Sequence, residues 1–179
     1  EGIVCIGRNA FSGCDKLHQV VLPISIEEID DYAFENCGNL KSVSLPGALK
    51  TIGNEAFKGT GLRTIAIPES VFWIGNGVVA DCQLLEHVTI PSNMDKIPEH
   101  MFEGCINLKK VELHERLNEI GERAFFGCSS LDFIVIPDSV KKIGKNAFTN
   151  TDKQFIMQCS FGSYAEEYAR KNKFKYQLV

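Results

Sequence analysis

Seven cysteines and four histidines are the side chains in this chain whose types could ligate a metal, act as nucleophiles or form disulfides. Five of the cysteines, Cys14, Cys37, Cys82, Cys105 and Cys128, follow one another at spacings of 23, 45, 23 and 23 residues. A structural zinc site needs Cys-x₂₋₄-Cys pairs, and none is present. The histidines His18, His87, His100 and His114 stand at unrelated intervals, so neither a Cys–His couple nor a Ser–His–acid set can be argued from spacing. There is no His-Glu-x-x-His and no phosphate-cradling glycine loop; Gly75-Asn76-Gly77 is a turn variant. The carboxylates scatter over polar positions. These residues give no catalytic set, no metal site and no cofactor site, so the expectation is a protein that is not an enzyme.

The cysteine spacing belongs to a larger regularity. An isoleucine recurs at Ile6, Ile29, Ile52, Ile74, Ile97, Ile120 and Ile143, at intervals of 23, 23, 22, 23, 23 and 23. Each opens a unit of the form Ile-Gly-x-x-Ala-Phe-x-Gly-Cys-x-x-Leu-x-x-Val-x-Ile-Pro, clearest from Ile120-Gly121 to Ile136-Pro137. The trio Leu40/Val43/Leu45 recurs as Leu62/Ile65/Ile67, Leu85/Val88/Ile90, Leu108/Val111/Leu113 and Leu131/Ile134/Ile136. Its last two members alternate with polar residues, the period of a half-buried strand, and the proline that often follows ends the ladder. Ala33-Phe34, Ala56-Phe57, Ala124-Phe125 and Ala147-Phe148 sit in short polar stretches long enough for one helical or 3₁₀ turn. Gly59, Gly104 and Gly127 then supply the permissive backbone that ends it.

One such unit cannot enclose a core, whereas stacked units bury a continuous one. Neighbouring coils about 4.8 Å apart make a parallel β-solenoid. Side chains in register at that spacing lie beyond the roughly 3.8 Å between Cβ atoms that a disulfide prefers. The five cysteines in one slot therefore read as a buried column of small apolar fillers, with Thr60 in the sixth place and Cys159 in a core position of a last strand. Cys5 shares its slot with Glu28, Thr51, Lys96, Glu119 and Lys142, which predicts an exposed and reactive thiol.

The Leu-x-x-Val-x-Ile-Pro and Ile-Gly-x-x-Ala-Phe-x-Gly-Cys signatures resemble the leucine-rich repeat superfamily. The specific likeness is to the 23-residue BspA-like type of bacterial and some protozoan surface proteins, and it covers about residues 3–151. The resemblance implies an α/β solenoid with parallel strands on a concave face. Short helices or 3₁₀ turns and loops would line the other face, with a capping helix at the C-terminal end. It further implies a non-enzymatic binding or adhesion module, cell-surface or secreted, whose partner is a protein. Host extracellular matrix and another cell's surface protein are the partners it points to.

The tail fits that architecture. Phe155–Ser160 reads as one more strand, and Ser163-x-x-Glu166 is a capping box opening a helix with an apolar stripe of Ala165, Ala169, Tyr164 and Tyr168. Asn172 would end it, and Phe174–Val179 could add a last extended piece. The organisation expected is one repeat domain over 1–179, with about seven repeats in 3–151 and a C-terminal cap in 152–179. Ile3 already fills a mid-repeat slot, so the chain reads as a fragment, the C-terminal part of a longer array.

A net charge of −4 gives no basic field for nucleic acid, and apolar runs of about five residues give no membrane insertion. Function then falls to the surface. The outward strand residues run Gln19/Val21, Ser42/Ser44, Thr64/Ala66, His87/Thr89, Lys110/Glu112, Phe133/Val135 and Ile156/Gln158. Exposed apolar groups on adjacent strands mark either a contact or a place that the terminal helix covers. Phe72 and Trp73 replace polar pairs such as Glu27-Glu28 and Asp95-Lys96 in a unit that carries Val78-Val79 for Ala-Phe. They read either as contact residues or as local repair, with Trp73 folded over the space of the missing ring. His87, Lys110, Glu112, Phe133, Val135, Phe72 and Trp73 are the candidate binding residues. The rival reading is a spacer array that displays another domain.

Overall fold

A computed structural model describes residues 2–179; Glu1, where the expected 1–179 domain begins, lies outside the described residues. The strands alternate along the chain as β1 (Cys5–Ile6), β2 (Gln19–Val21), β3 (Glu28–Ile29), β4 (Ser42–Ser44), β5 (Thr51–Ile52), β6 (Thr64–Ala66), β7 (Trp73–Ile74) and β8 (His87–Thr89). They continue as β9 (Lys96–Ile97), β10 (Lys110–Val111), β11 (Glu119–Ile120), β12 (Phe133–Val135), β13 (Lys142–Ile143) and β14 (Ile156–Cys159). Helix α1 (Tyr164–Asn172) and strand β15 (Lys175–Leu178) complete the chain. All pairings are parallel, and those up to β14 join equivalent residues of successive units, as Cys5 with Glu28 and His87 with Lys110. The result is a parallel-strand β-solenoid of about eight turns.

Each turn contributes two strands, so the coil carries two ribbons. The odd-numbered strands up to β13 form one; the even-numbered strands, continued by β15, form the other. The strand expected from alternation is the even-numbered one. The other is a two-residue strand holding the repeat isoleucine and its outward neighbour. Ile29, Ile52, Ile97 and Ile120 are fully buried in it, but a single apolar residue shows no periodicity in sequence.

The Ala-Phe segments are hydrogen-bonded turns, and the only helix among the described residues is α1, which corrects the expectation of short helices or 3₁₀ turns along the other side. The reason lies in where the amides point. The N–H groups of Phe34, Phe57 and Phe125 donate to Ala56, Val78 and Ala147 of the next coil at 2.8–2.9 Å. Those of Glu35 and Lys58, between them, bond back three residues at 3.1 Å. A helix needs every amide for its own ladder; here half of them join the coils. The alternation requires left-handed backbone at Tyr32, Glu55, His100 and Arg123, with φ of 58°, 52°, 59° and 53°. Gly59, Gly104 and Gly127 take φ of 67°, 72° and 76°, where glycine costs least.

Inside, side chains stack in columns. Phe11, Phe34 and Phe57 lie face to face at 5.1 and 5.3 Å, and Phe102, Phe125 and Phe148 at 5.1 and 5.2 Å. Burying each ring contributes about 1.5–3 kcal/mol, and stacking adds ~0.5–1.5 kcal/mol per pair. Val79 interrupts the column. Val78 and Met101, both fully buried, stand in the alanine slot of the same and the next coil and supply apolar volume there.

The thiol column is built with a direction. Cys37, Cys82, Cys105 and Cys128 are buried, and each donates to a carbonyl of the coil before it, Phe11, Phe57, Val79 and Phe102, at 3.0–3.1 Å. Thr60, in the sixth place, donates to Phe57 at 2.8 Å and meets Cys82 Sγ at 3.2 Å. Cys14 departs from the expected buried column. It is exposed, because no described coil lies on its N-terminal side.

At the far end, Ser163 Oγ accepts the Glu166 N–H at 3.2 Å and Glu166 Oε2 accepts the Gly162 N–H at 2.7 Å, which starts α1. Lys173, left-handed at φ 61°, ends it one residue past Asn172. Ala165 and Ala169 are buried, and Tyr168 meets Phe148 edge-on at 6.4 Å. Strand β15 pairs with β14 from Ile156–Lys175 to Cys159–Leu178.

Candidate functional site

The even-numbered ribbon turns alternate side chains outward because the buried member of each strand, such as Ile65, Val88, Val111 or Ile134, fixes the phase. His87 and Lys110 stand directly opposite in β8 and β10, so they share a shallow depression of about 370 Å³ with Thr89 and Glu112. Lys110 Nζ donates to Glu112 Oε1 at 2.6 Å, and this bond and charge hold the Glu112 carboxyl below its ordinary value. The pair is largely exposed, and its opposite charges present a dipole rather than a net charge. Beside it, Glu86 accepts from Lys109 at 2.7 Å and from Arg63 at 3.0 Å. Lys109 is the larger cause of its lowered pKa.

Phe133 and Val135 on β12 remain 40% and 46% exposed, and β14 alongside them presents a half-buried Ile156. Helix α1 packs on β13, β14 and β15 and not over these two residues. The reading in which the terminal helix covers them is thereby corrected. β15 instead extends the ribbon beyond β14. The structure thus gathers His87, Lys110, Glu112, Phe133 and Val135 on neighbouring strands of one ribbon.

Phe72 and Trp73 are not part of that group. They lie on the other ribbon, at and beside β7, and are 73% and 48% exposed. Trp73 does not fold back into the core, which corrects the repair reading; Val78 and Met101 occupy the interior instead. Their wall faces a groove of about 290 Å³ whose opposite side holds Asn93, Met94, Asp95 and Lys96. The groove marks the one place where the odd-numbered ribbon loses its ladder, between β7 and β9.

The cause is Pro98. In other coils the residue after the repeat isoleucine donates its N–H to the coil before, as Asp30 to Ile6 (2.9 Å), Gly75 to Ile52 (2.8 Å) and Gly121 to Ile97 (2.8 Å). Proline has no N–H to give. Pro98 also puts a Cβ into a slot where one on Gly53, Gly75, Gly121 or Gly144 would come within 2.3–2.6 Å of the preceding coil's backbone, so the missing donor and the added bulk both oppose the ladder. Asp95 and Lys96 read in sequence only as one of the polar pairs that Phe72 and Trp73 replace. The available signal was Ile97-Pro98 in place of Ile-Gly.

Neither set contains convergent acid, base and nucleophile, and no group of three or more His, Cys, Asp or Glu among the described residues is placed to hold a metal. Cys5, expected to be exposed and reactive, is half-buried. Burial raises its pKa, and Glu28 and Asp30 raise it further. The exposed thiol is Cys14. No helix among the described residues is long and apolar enough to cross a membrane.

Residues 1–109 and 27–155 match the family model described as the BspA type leucine rich repeat region, in six copies. A leucine-rich repeat protein of Bacteroides ovatus ATCC 8483 is similar at 29% identity and a TM-score of 0.73, over 97% of this chain and 55% of that one. A leucine-rich repeat protein of Eubacterium ventriosum ATCC 27560 is 26% identical with a TM-score of 0.65, over 75% and 43% of the two chains. A leucine rich cell surface protein of Faecalibacterium prausnitzii A2-165 is 25% identical with a TM-score of 0.56, over 94% and 60%. The chain thus spans about half the length of these relatives. No curated protein matches it in sequence.

Proposed function

The chain belongs to the BspA-type leucine-rich-repeat family, and from that premise we propose that it is a non-enzymatic module that binds a protein partner at a bacterial cell surface. In this reading the even-numbered ribbon is the concave contact face, and α1 with β15 caps the array. The seven repeats and their cap form one domain of a longer surface chain. The observation that carries it is the uncovered strip on which an exposed Phe133 and Val135 adjoin the Lys110–Glu112 pair and His87. An exposed apolar patch rimmed by polar groups is the usual mark of a contact site, and solenoids use their extended faces in this way. The surface description of the Faecalibacterium relative supports the location. Host extracellular matrix proteins and surface proteins of other cells are the partners to screen, and Phe72 and Trp73 form a second candidate contact.

The experiment is a pull-down of host extracellular proteins followed by titration of the captured partner against two variants, K110E/E112K and F133S/V135S. Truncating a central apolar anchor costs ~2 kcal/mol or more of binding, so F133S/V135S should weaken the complex at least about thirtyfold. Swapping the charges should change the association rate more than the lifetime. If both variants bind like the parent chain, the concave strip is not the contact face. If nothing is captured, the spacer reading is the better one.

A further inference from the structure

The interruption between β7 and β9 leaves a set of unmatched groups of complementary kind around one small groove. In an unbroken coil a single carbonyl takes two amides. Lys50 O accepts from Phe72 at 3.1 Å and Trp73 at 3.4 Å, and Asp95 O accepts from Asn118 at 2.7 Å and Glu119 at 3.2 Å. At the seam the equivalent oxygen, that of Phe72, receives no donor from any described residue, and neither does Ile74 O, whose counterparts Ile52 O and Ile97 O accept the Gly75 and Gly121 amides at 2.8 Å. Two ring faces stand on the same wall, and neither is covered by a cation of this chain, as Tyr32, Phe126 and Tyr176 are by arginines. Asp95, across the groove, makes no side-chain ion pair. The lysines that might have occupied the site are held elsewhere, Lys50 by Glu27 at 2.7 Å and Lys96 by Glu119 at 3.1 Å.

Aromatic faces, free carbonyl oxygens and an unpaired carboxylate together call for a flat cation with several N–H donors. Guanidinium has that shape: it stacks on a ring, carries five donors in a planar fork and never loses its charge. A lysine ammonium is a compact, strongly hydrated point charge that matches fewer of these features. The volume, about 290 Å³, lies at the lower bound for small-molecule sites and suits one side chain rather than a larger ligand.

We propose that the groove between β7 and β9 takes an arginine side chain of a protein partner, stacked on Trp73 and paired with Asp95. This rests on reading Phe72 and Trp73 as contact residues and is independent of the strip on the other ribbon.

Trp73 is the only tryptophan, so its indole Nε1–H resonance and its fluorescence report on this site alone. The probe is acetyl-Gly-Arg-Gly-amide, titrated into the full chain beside the same peptide with citrulline, which keeps the shape and lacks the charge. The arginine peptide should shift the indole resonance saturably, and the citrulline peptide should bind about tenfold more weakly or less. D95N, a change at an exposed position, should leave the rest of the amide spectrum in place and weaken arginine binding by a similar factor. P98G, which returns an N–H opposite Ile74, should abolish it by closing the seam. K110E/E112K should leave the titration unchanged, so failure of the strip and failure of the groove are read separately. Equal shifts from the two peptides, an unaltered titration in D95N, or no saturable shift at tens of millimolar peptide would each overturn the proposal.

Discussion

A thiol is a weak hydrogen-bond donor, and here four of them spend it on a carbonyl of the preceding coil. Burial pushes the Cys82 thiol up to about 11, the Cys128 thiol to about 12, and Cys105 well above the ordinary value near 9. A group whose acid form is favoured in the native state stays protonated there while the unfolded chain ionises. The contribution of these thiols to stability is therefore level below about pH 9 and falls from there up to the native pKa. The slope is ~1.4 kcal/mol per pH unit for each thiol. In urea unfolding between about pH 9.5 and 10.5, Cys82→Ala should be less stable throughout, with a pH slope shallower by about that amount. A slope equal to the parent's would show that Cys82 is not held protonated. The slot of these cysteines was legible in the sequence because spacing alone defines it. Their bonds were not, since each acceptor lies about 26 residues earlier, and the exposure of Cys14 depends on a neighbour rather than on its own unit.

Among elements, the even-numbered strands were the most legible, because two apolar residues alternating with polar ones leave a period. The odd-numbered strands hold one apolar residue each and leave none. The Ala-Phe turns were misread as helical because their length suits a helical turn, whereas their amides are shared between coils. The phenylalanine column shows how packing is conserved in volume rather than in position. Val79 holds the ring's slot, and Val78 and Met101 hold the alanine slot in the two coils around it. Restoring the ring alone, Val79→Phe, should overfill this region and cost about 1–3 kcal/mol. The triple change V78A/V79F/M101A, which rebuilds Ala-Phe in coils four and five, should recover most of that loss. Denaturant midpoints measure both. A neutral or stabilising Val79→Phe would mean that the slot is empty and the two larger side chains do not fill it. The candidate site divides in the same way: the strip was read from the strand period, while the seam depended on an amide that Pro98 lacks.

Across the whole molecule, three columns of backbone hydrogen bonds join successive coils: the two ribbons and the turns. The turn column runs unbroken from Asn9–Asp31 to Arg123–Lys145. The odd-numbered ribbon is interrupted only between β7 and β9, and the even-numbered one between β4 and β6 and between β10 and β12. The first of these two falls where the unit is one residue short. No junction between coils is broken in more than one column. The arrangement is that of brickwork laid with offset joints, in which no crack runs straight through a wall. Under tension between its ends, such a chain has no plane along which to shear in two, and it should peel from an end. Single-molecule pulling should then release the array in steps of one unit, each adding ~75 Å of contour for 23 residues. A first rupture that frees half the chain at once would show that the Pro98 seam is a line of weakness after all. On the expected outcome, the array can give up one bonded column locally and still carry load along its length, which is the mechanical requirement on a tether between two moving surfaces.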